Sequence, residues 1–184
     1  MQIDSLEKLF VDELKDVYSA EKQILRALPR MSKAAGNDEL KKAFDTHLRE
    51  TEKQVDRLEQ IFKDLDKSPT GKKCVGMEGL IEEAKELLGE DVDEDVLDAG
   101  LIAAAQKVEH YEMAAYGCLK TYAGLLGNQR AEQLLEETLS EEKRADDLLT
   151  QIAERSINVE AMEAGTGRDE GTGRGGSTKR GSNR

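Results

Sequence analysis

Four long stretches of this sequence carry apolar residues at alternating steps of three and four, the spacing of one face of an α-helix. They run from about residues 4 to 35, 38 to 65, 94 to 125 and 128 to 155. Aromatic residues make up only 4% of the chain and charged residues 36%. This composition favours helices over a β-sandwich or barrel. The sequence therefore predicts an all-α domain.

The joints between these stretches predict how the helices are arranged. About two residues separate the first two helices, and a turn centred on Gly127 separates the last two, so each pair should be antiparallel. Residues 66–93 form a much longer connection that contains a short amphipathic helix over about 77–88. One long crossover is the connectivity of ferritin-like bundles. We expect a ferritin-like four-helix bundle with this crossover between helices 2 and 3.

The C-terminal end has a different composition from the rest of the chain. Residues 164–184 are rich in glycine and basic residues and contain no apolar side chain larger than alanine. Such a segment buries too little apolar surface to offset the entropy of ordering it. We predict a bundle domain over residues 1–160 and a disordered Gly/Arg-rich tail over 161–184.

Several classes of protein are disfavoured by the same composition. Two cysteines, Cys74 and Cys118, do not make a disulfide framework, so a reducing compartment is expected. The sequence has no signal-peptide pattern and no apolar run long enough for a membrane span. The net charge of −12 argues against duplex DNA as a partner. We expect a cytoplasmic protein with no membrane or specific nucleic-acid partner.

Acidic residues stand in the helix faces that should point inward. Every predicted bundle helix carries a carboxylate near mid-length, at or beside a position where the period calls for an apolar residue. The candidates, including one histidine, are Glu21, His47, Glu50, Glu109, Glu112, Glu142 and Asp146.

Buried carboxylates need a positive partner, because burying an unpaired ion costs several kcal/mol. Lysine and arginine are scarce at the same positions. Four glutamates carry about −4, and two divalent cations would balance that charge. Oxygen ligands with few nitrogens suit iron(II) or manganese(II). The pattern predicts two divalent metal ions, iron or manganese, held inside the bundle.

For some of these candidate ligands, the sequence leaves more than one role open. Glu109 and Glu112 are three residues apart, so both can point inward, or one can pair with a surface charge. Glu50 can be an ordinary surface glutamate, and His47 can hydrogen-bond to a ligand without binding metal itself. Gln54 is expected to hydrogen-bond inside the bundle. Tyr116 can line the site or pack in the bundle, and the sequence favours packing.

Five segments resemble one known family, the YciF-like bacterial stress proteins of the ferritin-like superfamily. Together they cover about residues 5–155. They read DVYSAEKQILRAL, HLRETEKQVDRLEQ, KKCVGMEGLIEEA, LIAAAQKVEHYEMAAYG and LEETLSEEKRADDLLTQIA. The resemblance implies a dimerising ferritin-like bundle that belongs to stress responses and holds a dimetal centre.

Two departures from ferritin-like sites concern the nitrogen ligands. The usual Glu-x-x-His pair is reversed here as His47-x-x-Glu50, and helix 4 offers Glu142 and Asp146 with no histidine. The resemblance implies that Glu50 and Glu142 bridge the metals and His47 supplies nitrogen. Glu21 and one of Glu109 or Glu112 would be terminal ligands.

Two functions remain open at this level. One is a dimetal protein that reacts with oxygen or peroxide. The other is a stress-induced structural or interaction protein with a vestigial site. An iron-storage shell is a weaker third possibility, since nothing in the sequence shows the contacts that a shell requires.

Overall fold

The computed structural model describes residues 3–166, which are helical over most of their length. No strand occurs within this range. The helices are α1 Leu6–Ala34, α2 Asp38–Asp64, α3 Val75–Gly89, α4 Glu94–Leu125, α5 Gln129–Ile152, a π-helical segment Ala153–Ile157 and α6 Asn158–Thr166.

Helices α1, α2, α4 and α5 form a four-helix bundle. Each packs against two bundle neighbours, in the cyclic order α1, α2, α5, α4. The short helix α3 lies in the crossover between α2 and α4 and packs on α1 and α4. The predicted all-α bundle with one long crossover is therefore confirmed.

The apolar core of this bundle is divided into two clusters. One contains Phe10, Leu14 and Phe62, near the α4–α5 turn. The other contains Leu28, Phe44 and contributions from α3 and the π-helical segment. Between them lies a set of buried polar side chains, Glu21, His47, Thr51, Gln54, Glu109, Glu112, Thr138, Glu141 and Glu142.

The inward faces of α4 and α5 differ in detail from the predicted pattern. Val108, Ala115 and Ala145 are half-buried, although the apolar repeat places them inside. On α4, the interior position is taken instead by Glu109 and Tyr116. The reason is that α4 contacts α1, α3, α5 and α6, so apolar residues occur around much of its circumference.

Side-chain caps fix the helix starts. Asn37 and Asn128 accept backbone hydrogen bonds at the starts of α2 and α5. At the start of α1 the cap is Ser5, whose side chain accepts a hydrogen bond from the Lys8 backbone N–H. Gly127 has φ of 71° in the α4–α5 turn, a backbone conformation that favours glycine.

The α1–α2 joint is held from a distant helix. Asp98 of α4 is 5% exposed and accepts hydrogen bonds from the backbone N–H groups of Gly36 (2.9 Å) and Asn37 (2.7 Å). One carboxylate thus satisfies two backbone donors in a joint that has no helical partners for them. This contact ties the start of α4 to the far end of α1.

Helix α3 is attached to the bundle through its N-cap residue, Cys74. The Cys74 backbone N–H donates to Ser19 Oγ (2.9 Å), and Gln23 Nε2 donates to the Cys74 carbonyl (3.0 Å). The Cys74 thiol lies 2.9 Å from the Tyr111 hydroxyl, which donates to Asp16 (2.6 Å). These bonds join the start of α3 to both α1 and α4.

The C-terminal end stays helical beyond the predicted stop near Arg155. The chain continues through the π-helical segment into α6, which ends at Thr166. The predicted tail was to begin at residue 161, but residues 161–166 belong to α6. The remainder of the predicted tail, 167–184, lies outside the described residues. Among the helices of residues 3–166, none combines the length and apolar character needed to cross a membrane.

We predict that Asp98→Ala destabilises the protein by about 2 kcal/mol, because it leaves two backbone N–H groups without their acceptor. Thermal melting should show a decrease in Tm of about 4–8 °C. Asp147→Ala is the control, since Asp147 is an exposed aspartate within α5, and its effect should be within about 1–2 °C. Equal effects of the two substitutions would contradict this role of Asp98.

Candidate metal centre

The polar layer between the two apolar clusters is built from all four bundle helices. Glu21 comes from α1, His47 from α2, Glu109 and Glu112 from α4, and Glu142 from α5. Each of these residues is at most 6% exposed. The helical phase that the sequence suggested is therefore correct for all five, and both Glu109 and Glu112 point inward.

Four of these side chains converge on one point. Each of His47, Glu109, Glu112 and Glu142 offers a donor atom, and these atoms all lie within 4.8 Å of one another. His47 Nε2 is 3.3 Å from Glu109 Oε1 and 3.9 Å from Glu142 Oε2. The group therefore combines one imidazole with three carboxyl groups.

Glu21 lies next to this group. It accepts a hydrogen bond from the Tyr116 hydroxyl, and burial together with its negative charge raises the pKa of Glu112. Burial and the charge of Glu109 act on Glu142 in the same direction. Ionising all four groups at once is therefore unfavourable, because like charges lie close together in a buried layer.

The acidity of these carboxyl groups is strongly altered. Burial, with the nearby charge of Glu142, raises the pKa of Glu21 to about 8. Burial is also the main cause that raises the pKa of Glu109 to about 8. It raises the pKa values of Glu112 and Glu142 well above the ordinary value. Desolvation and like charges thus both oppose ionisation.

Neighbouring Glu141 differs from these four carboxyl groups because it is paired with the guanidinium group of Arg57. Arg57 donates to its two carboxylate oxygens at 2.5 and 2.8 Å. Burial would raise the pKa of Glu141, but its bonds to Arg57 outweigh that effect and lower the pKa. Gln54 links Glu141 to the four inner carboxyl groups, because its amide donates hydrogen bonds to both Glu141 and Glu142.

Several buried polar atoms of the site lack a hydrogen-bond partner. They include both ring nitrogens of His47 and both carboxyl oxygens of Glu112. Within residues 3–166 no lysine or arginine forms an ion pair with any of the four glutamates of the layer. A cation would bind these unpaired nitrogen and oxygen atoms and balance the charge of the acids. The set of ligand atoms therefore fits divalent metal ions.

Two predicted residues lie at the margin of the layer. Glu50 is half-buried and close enough for its charge to raise the pKa of Glu109. Asp146 is half-buried, accepts a hydrogen bond from Gln106 (3.1 Å) and lies 3.5 Å from His110 Nε2. Neither belongs to the four-residue group, and ligation by them stays a prediction.

The expected hydrogen bonding of Gln54 is confirmed. The sequence favours packing for Tyr116 over a place in the site, but its hydroxyl is fully buried and donates to Glu21. The Arg57–Glu141 pair is a contribution that the sequence reasoning did not predict. A signal existed in both cases, because Tyr116 lies four residues after Glu112 and Arg57 three after Gln54, on the same helix faces.

A family model for a domain of unknown function, DUF892, matches residues 5–162 of the chain. The chain belongs to the DUF892 family. Within curated proteins, it is 47% identical to protein YciF of Escherichia coli strain K12 over 162 residues, which is 88% of this chain and 98% of that protein. The resemblance seen in the sequence is thus confirmed.

Solved structures give the same result. The crystal structure of the E. coli stress protein YciF matches with a TM-score of 0.82 and 47% identity, covering 85% of this chain and 99% of that one. YcfI of Rhodopseudomonas palustris, suggested to be a structural protein, matches with a TM-score of 0.79 and 45% identity. That match covers 81% of this chain and 95% of YcfI.

We predict that the metal-free protein becomes less stable as the pH rises from about 5 to 8. In the unfolded chain these carboxyls titrate near 4.5, whereas Glu21 and Glu109 titrate near 8 in the fold. Between these values the unfolded state has lost protons that the folded state retains, so rising pH favours unfolding. Melting in the presence of a chelator should show a Tm that falls across this range, and a rising Tm would contradict the shifts.

We further predict that Glu112→Gln raises the Tm of the metal-free protein at pH 8 by about 3 °C or more. The amide carries no charge at any pH, so the cost of ionising a buried group at this position is removed. At pH 5 the two proteins should melt at similar temperatures. Exposed Glu52 of α2 supplies the control, and Glu52→Gln should leave the pH dependence unchanged.

Proposed function

We propose that this chain is a metal-binding stress protein whose bundle holds two divalent ions, iron or manganese. The observation that carries the proposal is the convergence of His47, Glu109, Glu112 and Glu142 within 4.8 Å, without a compensating cation among the described residues. The stress-protein part of the proposal rests on the likeness to E. coli YciF.

The layer supplies ligands for both ions. His47 with Glu109 would hold one ion, and Glu21 would hold the second. Glu112 and Glu142 lie between these groups, because Glu112 contacts Glu21 while Glu142 contacts His47 and Glu109. Glu50 is the nearest further carboxylate for the His47 side. This arrangement differs from the expected roles by placing Glu112, rather than Glu50, in the middle.

Bound iron or manganese would supply redox chemistry toward oxygen or peroxide. The chain's own residues would set the conditions for it. Glu112 and Glu142 would release their protons when cations bind, and Tyr116 fixes Glu21 by a hydrogen bond. Gln54 and Arg57 orient Glu142 and Glu141.

The experiment is metal analysis of protein purified without a chelator and then loaded anaerobically with iron(II) or manganese(II). We expect about two ions per chain in the wild type and a loss of at least one in Glu112→Gln or Glu142→Gln. Glu52→Gln is the matched control and should retain both ions. Fewer than about 0.2 ions per chain after loading would overturn the proposal.

A structural role is the alternative, because the similar protein YcfI has been suggested to be structural. A double substitution, Glu21→Ala with Glu142→Ala, separates the two functions in cells challenged with peroxide. Lost protection and lost peroxide consumption would favour chemistry. Undiminished protection by a stable, metal-free double variant would favour the structural role.

A further inference from the structure

A cavity of about 390 Å³ lies inside the bundle beside the polar layer. It is within the size range of small-molecule pockets. All of α1 to α5 contribute to its lining, and most of its wall is apolar. Its apolar wall includes Ile24, Leu28, Phe44, Ala105, Val108 and Leu149.

The inner end of the cavity reaches the polar layer. His47 and Glu109 both line it, and both are more than nine-tenths buried. His47 Nδ1 and Glu109 Oε2 have no hydrogen-bond partner. A molecule in the cavity would therefore lie directly against the side of the proposed metal centre that carries the imidazole.

Two positively charged residues lie on the α1–α3 side of the lining. Arg26 and Arg30 are exposed residues one helical turn apart on α1, and both line the cavity. Neither forms an ion pair within residues 3–166.

We propose that this cavity binds a linear aliphatic carboxylate. Its headgroup would pair with Arg26 and Arg30, and its chain would extend along the apolar wall toward His47. Guanidinium groups bind carboxylates through paired hydrogen bonds, and the apolar wall supplies the hydrophobic contribution.

The opposite orientation is disfavoured by charge. A carboxylate at the inner end would meet Glu109, with Glu142 and Glu50 close by. Arg144 and Glu50 line the α2–α5 side, and Glu50 has no ion pair among residues 3–166, whereas Glu78, the acid that α3 contributes to the lining, is paired with Lys73. The α1–α3 side is therefore the better place for an anion, and it leaves an aliphatic chain end next to the polar layer.

Small side chains leave space in the cavity for an aliphatic chain. Ala27, Ala104 and Ala105 line the cavity where larger residues would fill it. Helix α3 covers the same region through Ile81 and Ala84, and it is fixed at its start by the Cys74 contacts to Ser19 and Gln23. The walls of the cavity are thus formed by residues of this chain and do not depend on a metal.

The test is isothermal titration of the metal-free protein with decanoate, 1-decanol and decylammonium, each below its micelle concentration. We expect decanoate to bind most tightly. The double variant Arg26→Gln with Arg30→Gln should weaken decanoate by about fivefold or more and leave decanol unchanged. Arg130→Gln, an exposed arginine outside the cavity, is the control.

Two variants test whether decanoate binds in this cavity. Ala27→Phe and Ala105→Phe should each abolish decanoate binding by filling the cavity, while thermal melting checks that they remain folded. Equal affinity for the three headgroups, no binding of decanoate by the wild type, or full binding by a folded Ala27→Phe protein would overturn the inference. Metal content measured on Ala27→Phe should equal that of the wild type, so failure here is separate from failure of the metal proposal.

Discussion

The burial of four carboxyl groups that have no lysine or arginine partner among residues 3–166 is the constraint on which this structure depends. Glu21, Glu109, Glu112 and Glu142 come from three different helices and are all at most 2% exposed. As bare anions they would repel one another in a medium that solvates them poorly. Protons shared between pairs, or divalent ions, are the two ways in which this layer becomes compatible with a packed bundle.

The contrast with Glu141 shows that this lack of cations is local. Glu141 is adjacent in sequence to Glu142, yet Arg57 holds it as an ion and its pKa is lowered. Gln54 separates the two carboxylates while bonding to both. The chain therefore places one compensated acid at the edge of the layer and leaves the inner acids uncompensated, which suits an interior that accepts cations.

The helices, the crossover and the inward acids were predictable because three-and-four spacing reports directly which side of a helix is buried. The choice between Glu109 and Glu112 was not, since residues three apart share a face and α4 is covered by α1, α3, α5 and α6. Glu50 and Asp146 satisfied the same spacing but lie at the margin. The cavity depends on how α3 sits across α1 and α4, which local patterns do not encode.

The division of the apolar core has a consequence for cooperativity. The two clusters, one around Phe10 and one around Phe44, meet only across hydrogen-bonded or ionic groups, so direct apolar packing does not join the two ends of the bundle. Coupling between them passes along the helix backbones and through the polar layer. Whether the bundle opens as one unit or as two is consequently decided by what fills its middle.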